Sequence, residues 1–146
     1  MELRALYPQE LEQLLALYHH LHESDDPLPH REIVQSIWNG IQENPNHKYF
    51  GLFVENRLIS SCVLNLIPNL TRGCRPYGVI ENVVTHSGFR RQGLGKALLQ
   101  HALNYAWQQG CYKVMLLTGR KDEGTYAFYE SIGFDRQAKQ AFLAKP

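Results

Sequence analysis

Little in the sequence commits it to a specialised environment. Three cysteines, Cys62, Cys74 and Cys111, are an odd number without a CxxC pair. Reduced thiols in a cytoplasmic protein are therefore expected rather than a disulfide framework. Charge of one sign is also lacking. Fifteen Lys and Arg stand against 14 Asp and Glu, a net charge of +1, so no global field points to nucleic acid or to an anionic membrane as partner. No apolar run could span a bilayer, and the opening Met1-Glu-Leu-Arg-Ala-Leu-Tyr-Pro8 lacks the charged and apolar regions of a signal peptide. Repeats, low-complexity tracts and linkers are absent. What remains is ordinary for a globular chain: 146 residues, 44% hydrophobic and 20% charged, expected to form one domain over 1–146 with a real core. A homodimer is compatible with these figures.

Periodicity predicts a mixed α/β order, β-α-α-β-β-β-α-β-α-β. Glu2 to Leu6 reads as a short first strand. Leu11, Leu14, Leu15, Tyr18 and Leu21 recur at helical spacing, predicting an amphipathic helix to about His22. After the polar loop Glu23–Pro29, a second helix is expected to bury Ile33, Val34, Ile37, Trp38 and Ile41 and to stop at Asn44-Pro45. Tyr49–Val54 and Leu58–Ile67 flank a short turn and predict a hairpin, and Pro68–Pro76 reads as a loop. Val79–Thr85 predicts a strand covered on both sides, with Glu81 and Asn82 on opposite faces by alternation. A long helix follows and ends at Gly110, a residue suited to the C′ position. Lys113–Thr118 predicts a buried strand parallel to 79–85, Thr125–Ser131 a short helix, and Phe134 onward a last strand or two.

The chain is organised around the junction between strand 79–85 and the long helix. Arg90, Arg91, Gln92, Gly93, Leu94, Gly95 and Lys96 place three cations and two glycines where a helix begins. Glycines let a ligand approach the backbone, and free amides at a helix start favour an anion. A P-loop would need glycine at position 90 and Ser or Thr at 97, which are Arg90 and Ala97. A dinucleotide fingerprint would need a third glycine at position 98, which is Leu98. Tight packing alone would explain the glycines but not the adjoining charge.

Arg90-Arg-Gln-Gly93-Leu-Gly95 fits a third pattern, Arg/Gln-x-x-Gly-x-Gly/Ala, and Phe128-Tyr129-Glu130-Ser-Ile-Gly133-Phe134 fits a Phe-Tyr-Glu-x-x-Gly-Phe element. Together they resemble the GNAT N-acetyltransferases. The wording of Ile80-Glu-Asn-Val-Val, Gln92-Gly-Leu-Gly-Lys and Gly110-Cys-Tyr-Lys-Val is similar to the glucosamine-phosphate branch of that family. The resemblance is strongest from about 78 to 134. It implies acetyl-CoA as co-substrate and direct transfer to a primary amine without a covalent enzyme intermediate. A small amine or aminosugar is the expected acceptor; a protein amine, or a CoA-binding module without turnover, is the rival reading.

The same resemblance implies residue roles. Backbone amides from Arg91 through Gln92, Gly93, Leu94 and Gly95 to Lys96 would hold the diphosphate, with charge added by Arg90 and Lys96. The pantetheine arm would lie along Val83, Val84 and Thr85, and the amide of Val83 or Val84 would face the oxyanion. Tyr129 matches the tyrosine that protonates the departing thiolate. Glu81, a carboxylate in a strand lined by valines, is the candidate base, weighed against a structural ion pair. His19, His20 and His22 have no partner at metal-ligand spacing and read as a solvated helix face; no metal is expected. Glu23, Asp25 and Asp26 lie in a loop that borders the acceptor pocket in this family, although solvation alone explains them. The family asparagine near the tyrosine helix has no counterpart, since no asparagine occurs between 105 and 146; Asp122 or Thr125 would have to replace it.

Overall fold

The computed structural model describes the whole chain, Met1–Pro146. Its strands are β1 (Glu2–Ala5), β2 (His47–Val54), β3 (Arg57–Ile67), β4 (Tyr77–Thr85) and β5 (Val114–Leu116). They form one sheet in the order β1-β2-β3-β4-β5. The first four run antiparallel to their neighbours, and β5 lies parallel to β4. The helices of eight or more residues are α1 (Leu11–Tyr18), α2 (Arg31–Glu43), α3 (Leu94–Gln108) and α4 (Glu123–Glu130), with short helical turns at Pro8–Glu10, Thr71–Cys74 and Ser87–Phe89. The connection β4–α3–β5 is the crossover that parallel strands require.

Both faces of the sheet are covered. On one, Leu98, Leu99, Ala102, Leu103 and Ala106 of α3 pack on Phe50, Cys62, Leu64, Leu66 and Ile80. On the other, Leu11, Leu14 and Leu17 of α1 and Trp38 of α2 pack on Leu6, Phe53, Leu58 and Val84. Trp38 also donates its indole N–H to the Pro8 carbonyl at 2.8 Å, fixing α2 against the start of α1.

Several expectations are corrected. Helix α1 stops at Tyr18 and continues only as a turn, with the Leu21 amide bonded to the Tyr18 carbonyl at 3.0 Å. Only Val34, Trp38 and Ile41 of α2 face the core. Ile33 and Ile37 are 50% and 57% exposed, because at 3.6 residues per turn they lie about 100° round the helix from Val34 and Trp38. β5 is shorter than Lys113–Thr118 and only half-buried, as befits an edge strand. No strand follows Phe134. Phe142 and Leu143 are 90% and 79% exposed, so the last strand of the expected order is missing.

The departure that builds the site is in β4. Ser61 pairs with Val84 and Val63 with Glu81, so Asn82 and Val83 together oppose Cys62. This is a β-bulge, with Asn82 at φ 51°. It breaks the alternation: Ile80 packs toward α3 and Val84 toward α1, and Glu81 and Asn82 between them are both exposed. β4 is therefore not covered along its whole length. Buried Ser60 secures the end of β4 by donating to the Val84 carbonyl at 2.8 Å and meeting the Thr85 hydroxyl at 2.8 Å.

Candidate active site

Pairing between β4 and β5 covers only Gly78–Ile80. Beyond Ile80 the two strands part, and a cavity of about 970 Å³ opens between them. Glu81–Thr85 forms one wall, Leu116–Arg120 the opposite wall, and Gly124, Thr125, Phe128 and Tyr129 close it from α4. Here β4 presents backbone toward the cavity without a strand neighbour on that side. An extended ligand that carries amides can take the neighbour's place.

The start of α3 forms the lower end. Arg91 (φ 61°) and Gly93 (φ 77°) are left-handed and curl the chain into the helix. A Cβ at Gly93 would meet no protein atom within 4 Å, so its glycine answers to conformation and to open space for a ligand, not to internal packing. Gly95 is closer set, with Phe128 and the Thr85 hydroxyl each 3.4 Å from where its Cβ would lie. The unpaired first-turn amides of a 15-residue helix point out of this turn. Around the cavity, Arg91, Lys96 and Arg120 face only two carboxylates, Glu81 and Asp122, while Arg90 on the same wall donates to the Thr85 and His20 carbonyls. This excess of positive charge fits a polyanionic co-substrate such as acetyl-CoA, and so do the exposed amides and the unpaired strand.

Every catalytic and cofactor-binding residue expected from the sequence lines this cavity except Gln92, which is exposed at the apex of the turn between Arg91 and Gly93. Glu81 forms no ion pair; the chain's pairs use Glu2, Glu10, Glu12, Glu123 and Glu130 instead. The alternative of a structural salt bridge at Glu81 is thereby removed. Tyr129 is half-buried, with Phe128 and Phe134 ring centroids 5.1 and 6.2 Å away. Burial pushes its phenol above the usual range, Arg120 partly offsets that shift, and Cys62 adds to it. The hydroxyl is consequently protonated at neutral pH and available as a proton donor.

Asp122 caps α4, accepting from the Thr125 amide at 2.8 Å and from its hydroxyl at 2.9 Å. These bonds hold its carboxyl below the usual range. Both residues border the cavity. The acidic loop does not reach the cavity: Glu23, Asp25 and Asp26 are exposed and absent from its walls.

The sequence reading missed the end of α1. His20, Leu21 and His22 line the cavity, so these histidines are not merely a solvated helix face. The His20 ring meets the His86 ring at a tilt of 43°, with centroids 4.1 Å apart. His86 meets the Gly88 amide and the Arg57 guanidinium, one at each ring nitrogen. Its pKa is lowered, first by burial and then by His20, Arg57 and Arg90. Nothing in linear spacing connects position 20 to 86; only the layering of α1 against the end of β4 does.

An acyl-CoA-dependent acyltransferase is the class that a splayed parallel pair, a bulged β4 and an amide-rich turn define together. Residues 9–134 match the model of the acetyltransferase (GNAT) family. The chain is 34% identical over 143 residues to glucosamine 6-phosphate N-acetyltransferase of Trypanosoma brucei brucei, covering 98% of this chain and 95% of that one. Its fold superposes with a TM-score of 0.93 on a candidate acetyltransferase from Agrobacterium tumefaciens str. C58, at 40% identity and full coverage of both chains. At 22% identity, the glucosamine-6-phosphate N-acetyltransferase of Arabidopsis thaliana shares the fold with a TM-score of 0.83, over 98% of this chain and 97% of that one.

The chain belongs to the GNAT family. It is an N-acetyltransferase, and acetyl-CoA is the acetyl donor of that family.

Proposed function

We propose that the acceptor is an aminosugar, with a phosphorylated hexosamine as the first candidate, and that the cavity walls divide the work as follows. The observation that carries this reading is the opening between β4 and β5, which joins the turn at Arg91–Lys96 to Glu81 and Tyr129 in one cavity. The full-length relative from Trypanosoma brucei brucei, named for glucosamine 6-phosphate, supports the acceptor class.

Acetyl-CoA supplies a thioester carbonyl open to amine attack and a thiol leaving group. The first-turn amides of α3 receive the diphosphate, with Arg91 and Lys96 adding charge that no internal ion pair consumes. Val83, Val84 and Thr85 receive the pantetheine amides, and the bulge frees the Val83 or Val84 N–H to stabilise charge on the carbonyl oxygen. Glu81 draws a proton from the acceptor ammonium through water. Tyr129 donates its proton to the leaving sulfur.

Thiol release with glucosamine 6-phosphate, glucosamine and a panel of polyamines and peptide amines tests the acceptor. Preference for the sugar phosphate is expected. Turnover confined to peptides would transfer the assignment to protein amines, and acetyl-CoA binding without turnover on any amine would favour a sensor. We place the activity in the cytoplasm, a reading supported by three cysteines that are all unpaired.

A further inference from the structure

Arg90 opens the diphosphate-turn pattern, yet its guanidinium is committed elsewhere. Its Nε donates to the carbonyl of Thr85, the last residue of β4, at 3.2 Å. One Nη donates to the His20 carbonyl at 2.7 Å, seventy positions away in the chain. His20 lies in the turn that ends α1, where helix carbonyls lack intrahelical partners and the dipole favours a cation. Two further contacts join the same pieces: the Ser87 amide donates to His20 Nδ1 at 3.4 Å, and the tilted His20 and His86 rings are in contact. His20, Leu21 and His22 wall the cavity beside Glu81, so whatever fixes this turn fixes that wall.

We propose that Arg90 is a positioning residue for the acceptor: its guanidinium clasps the end of α1 to the end of β4, and the charge serves this clasp instead of the diphosphate. The inference rests on the acetyl-CoA reading above and sharpens it at one residue. A guanidinium is needed because its planar fork serves two carbonyls at once, Thr85 through Nε and His20 through Nη. Lysine retains the charge but offers a single ammonium, which cannot reproduce that fixed two-carbonyl geometry.

Arg90→Lys and Arg90→Gln therefore separate clasp from charge. Three measurements are made on each: acetyl-CoA Kd by calorimetry, KM for glucosamine 6-phosphate, and hydrogen exchange of the ligand-free protein over residues 17–22. Both variants are expected to exchange about tenfold faster at the His20 and Leu21 amides. Both should raise the acceptor KM about tenfold, with acetyl-CoA Kd within about twofold of the parent. Arg90→Lys behaving like the parent while Arg90→Gln binds acetyl-CoA about tenfold more weakly would overturn the clasp and make Arg90 a phosphate ligand. Unchanged exchange over 17–22 in both variants would also overturn it. Failure of the parent protein itself to bind acetyl-CoA would instead strike the underlying reading, and the exchange result would still decide whether the clasp exists.

Discussion

In the mechanism we propose, Tyr129 and Glu81 divide the proton traffic, and their surroundings make different demands of each. Tyr129 sits against Phe128 and Phe134, and its pKa is raised chiefly by burial. A group with a raised pKa keeps its proton further into alkali, so turnover should not fall on the alkaline side until beyond pH ~10, the free phenol value. A fall centred near pH ~8.5, the range of a thiol, would assign the proton to another group. Tyr129→Phe should lower kcat about 100-fold and leave acetyl-CoA affinity nearly intact, since the ring and its packing survive. Glu81 has no ion-pair partner to lose. Glu81→Gln should reduce kcat/KM about 100-fold at neutral pH, with the deficit shrinking as rising pH delivers the amine already neutral. A deficit independent of pH would make Glu81 an orienting residue and not a base.

Elements set these residues, and the junction between β4 and α3 is the most sensitive. Gly93 at φ 77° has open space where a Cβ would go, so the Cβ of Gly93→Val meets no protein atom within 4 Å. The penalty is conformational, about 1–2 kcal/mol for an L-residue held left-handed, together with a side chain placed in the proposed path of the diphosphate. Acetyl-CoA affinity should fall at least about tenfold, while Gly93→Asn, whose residue type tolerates this conformation, should lose less. Equal losses would locate the effect outside the backbone. At the other edge of the sheet, Arg4 of β1 grips buried Glu10 at 2.7 and 2.9 Å, and Glu10 also accepts from the Tyr7 amide. Burial alone would raise the Glu10 carboxyl; the Arg4 fork and the Tyr7 amide outweigh it and lower the pKa. The stability this contributes is present above the unfolded glutamate value near pH ~4.3 and is lost as pH falls through the lowered folded value. Glu10→Gln should cost about 3 kcal/mol at neutral pH in urea unfolding, and the gap should narrow in acid. A gap constant with pH would deny the ion pair its role.

What could be read from the chain beforehand follows from the range of the interactions. Helix α3 and the hairpin of β2 and β3 are written in local periodicity, and the turn at 90–96 in adjacent residues, so both were legible. The bulge at Asn82 and Val83 was not: it exists because Cys62 opposes two residues, a fact of register between strands. The approach of His20 to Arg90 was hidden for the same reason. Ile33 and Ile37 are apolar yet exposed, because which apolar face of a helix is buried depends on what packs against it.

At the scale of the whole molecule, folding energy comes from two cores on opposite faces of the sheet, and the last residues join neither. Arg136 is the final anchored side chain, bonded to Glu123 and Glu130 of α4. Beyond it Phe142 and Leu143 stand exposed, although their apolarity had suggested a strand. Exposed apolar side chains contribute nothing through burial. Truncation after Ala138 should therefore shift Tm by less than about 2 °C, well under 1 kcal/mol for a chain of this size, and leave acetyl-CoA affinity unchanged. The melt should be run at two protein concentrations, because association that buries a segment makes Tm depend on concentration. A drop of more than about 4 °C in dilute protein would show the tail packing on its own chain. A drop that appears only at high concentration would show Phe142 and Leu143 buried between copies, making the tail an element of assembly and not of the fold.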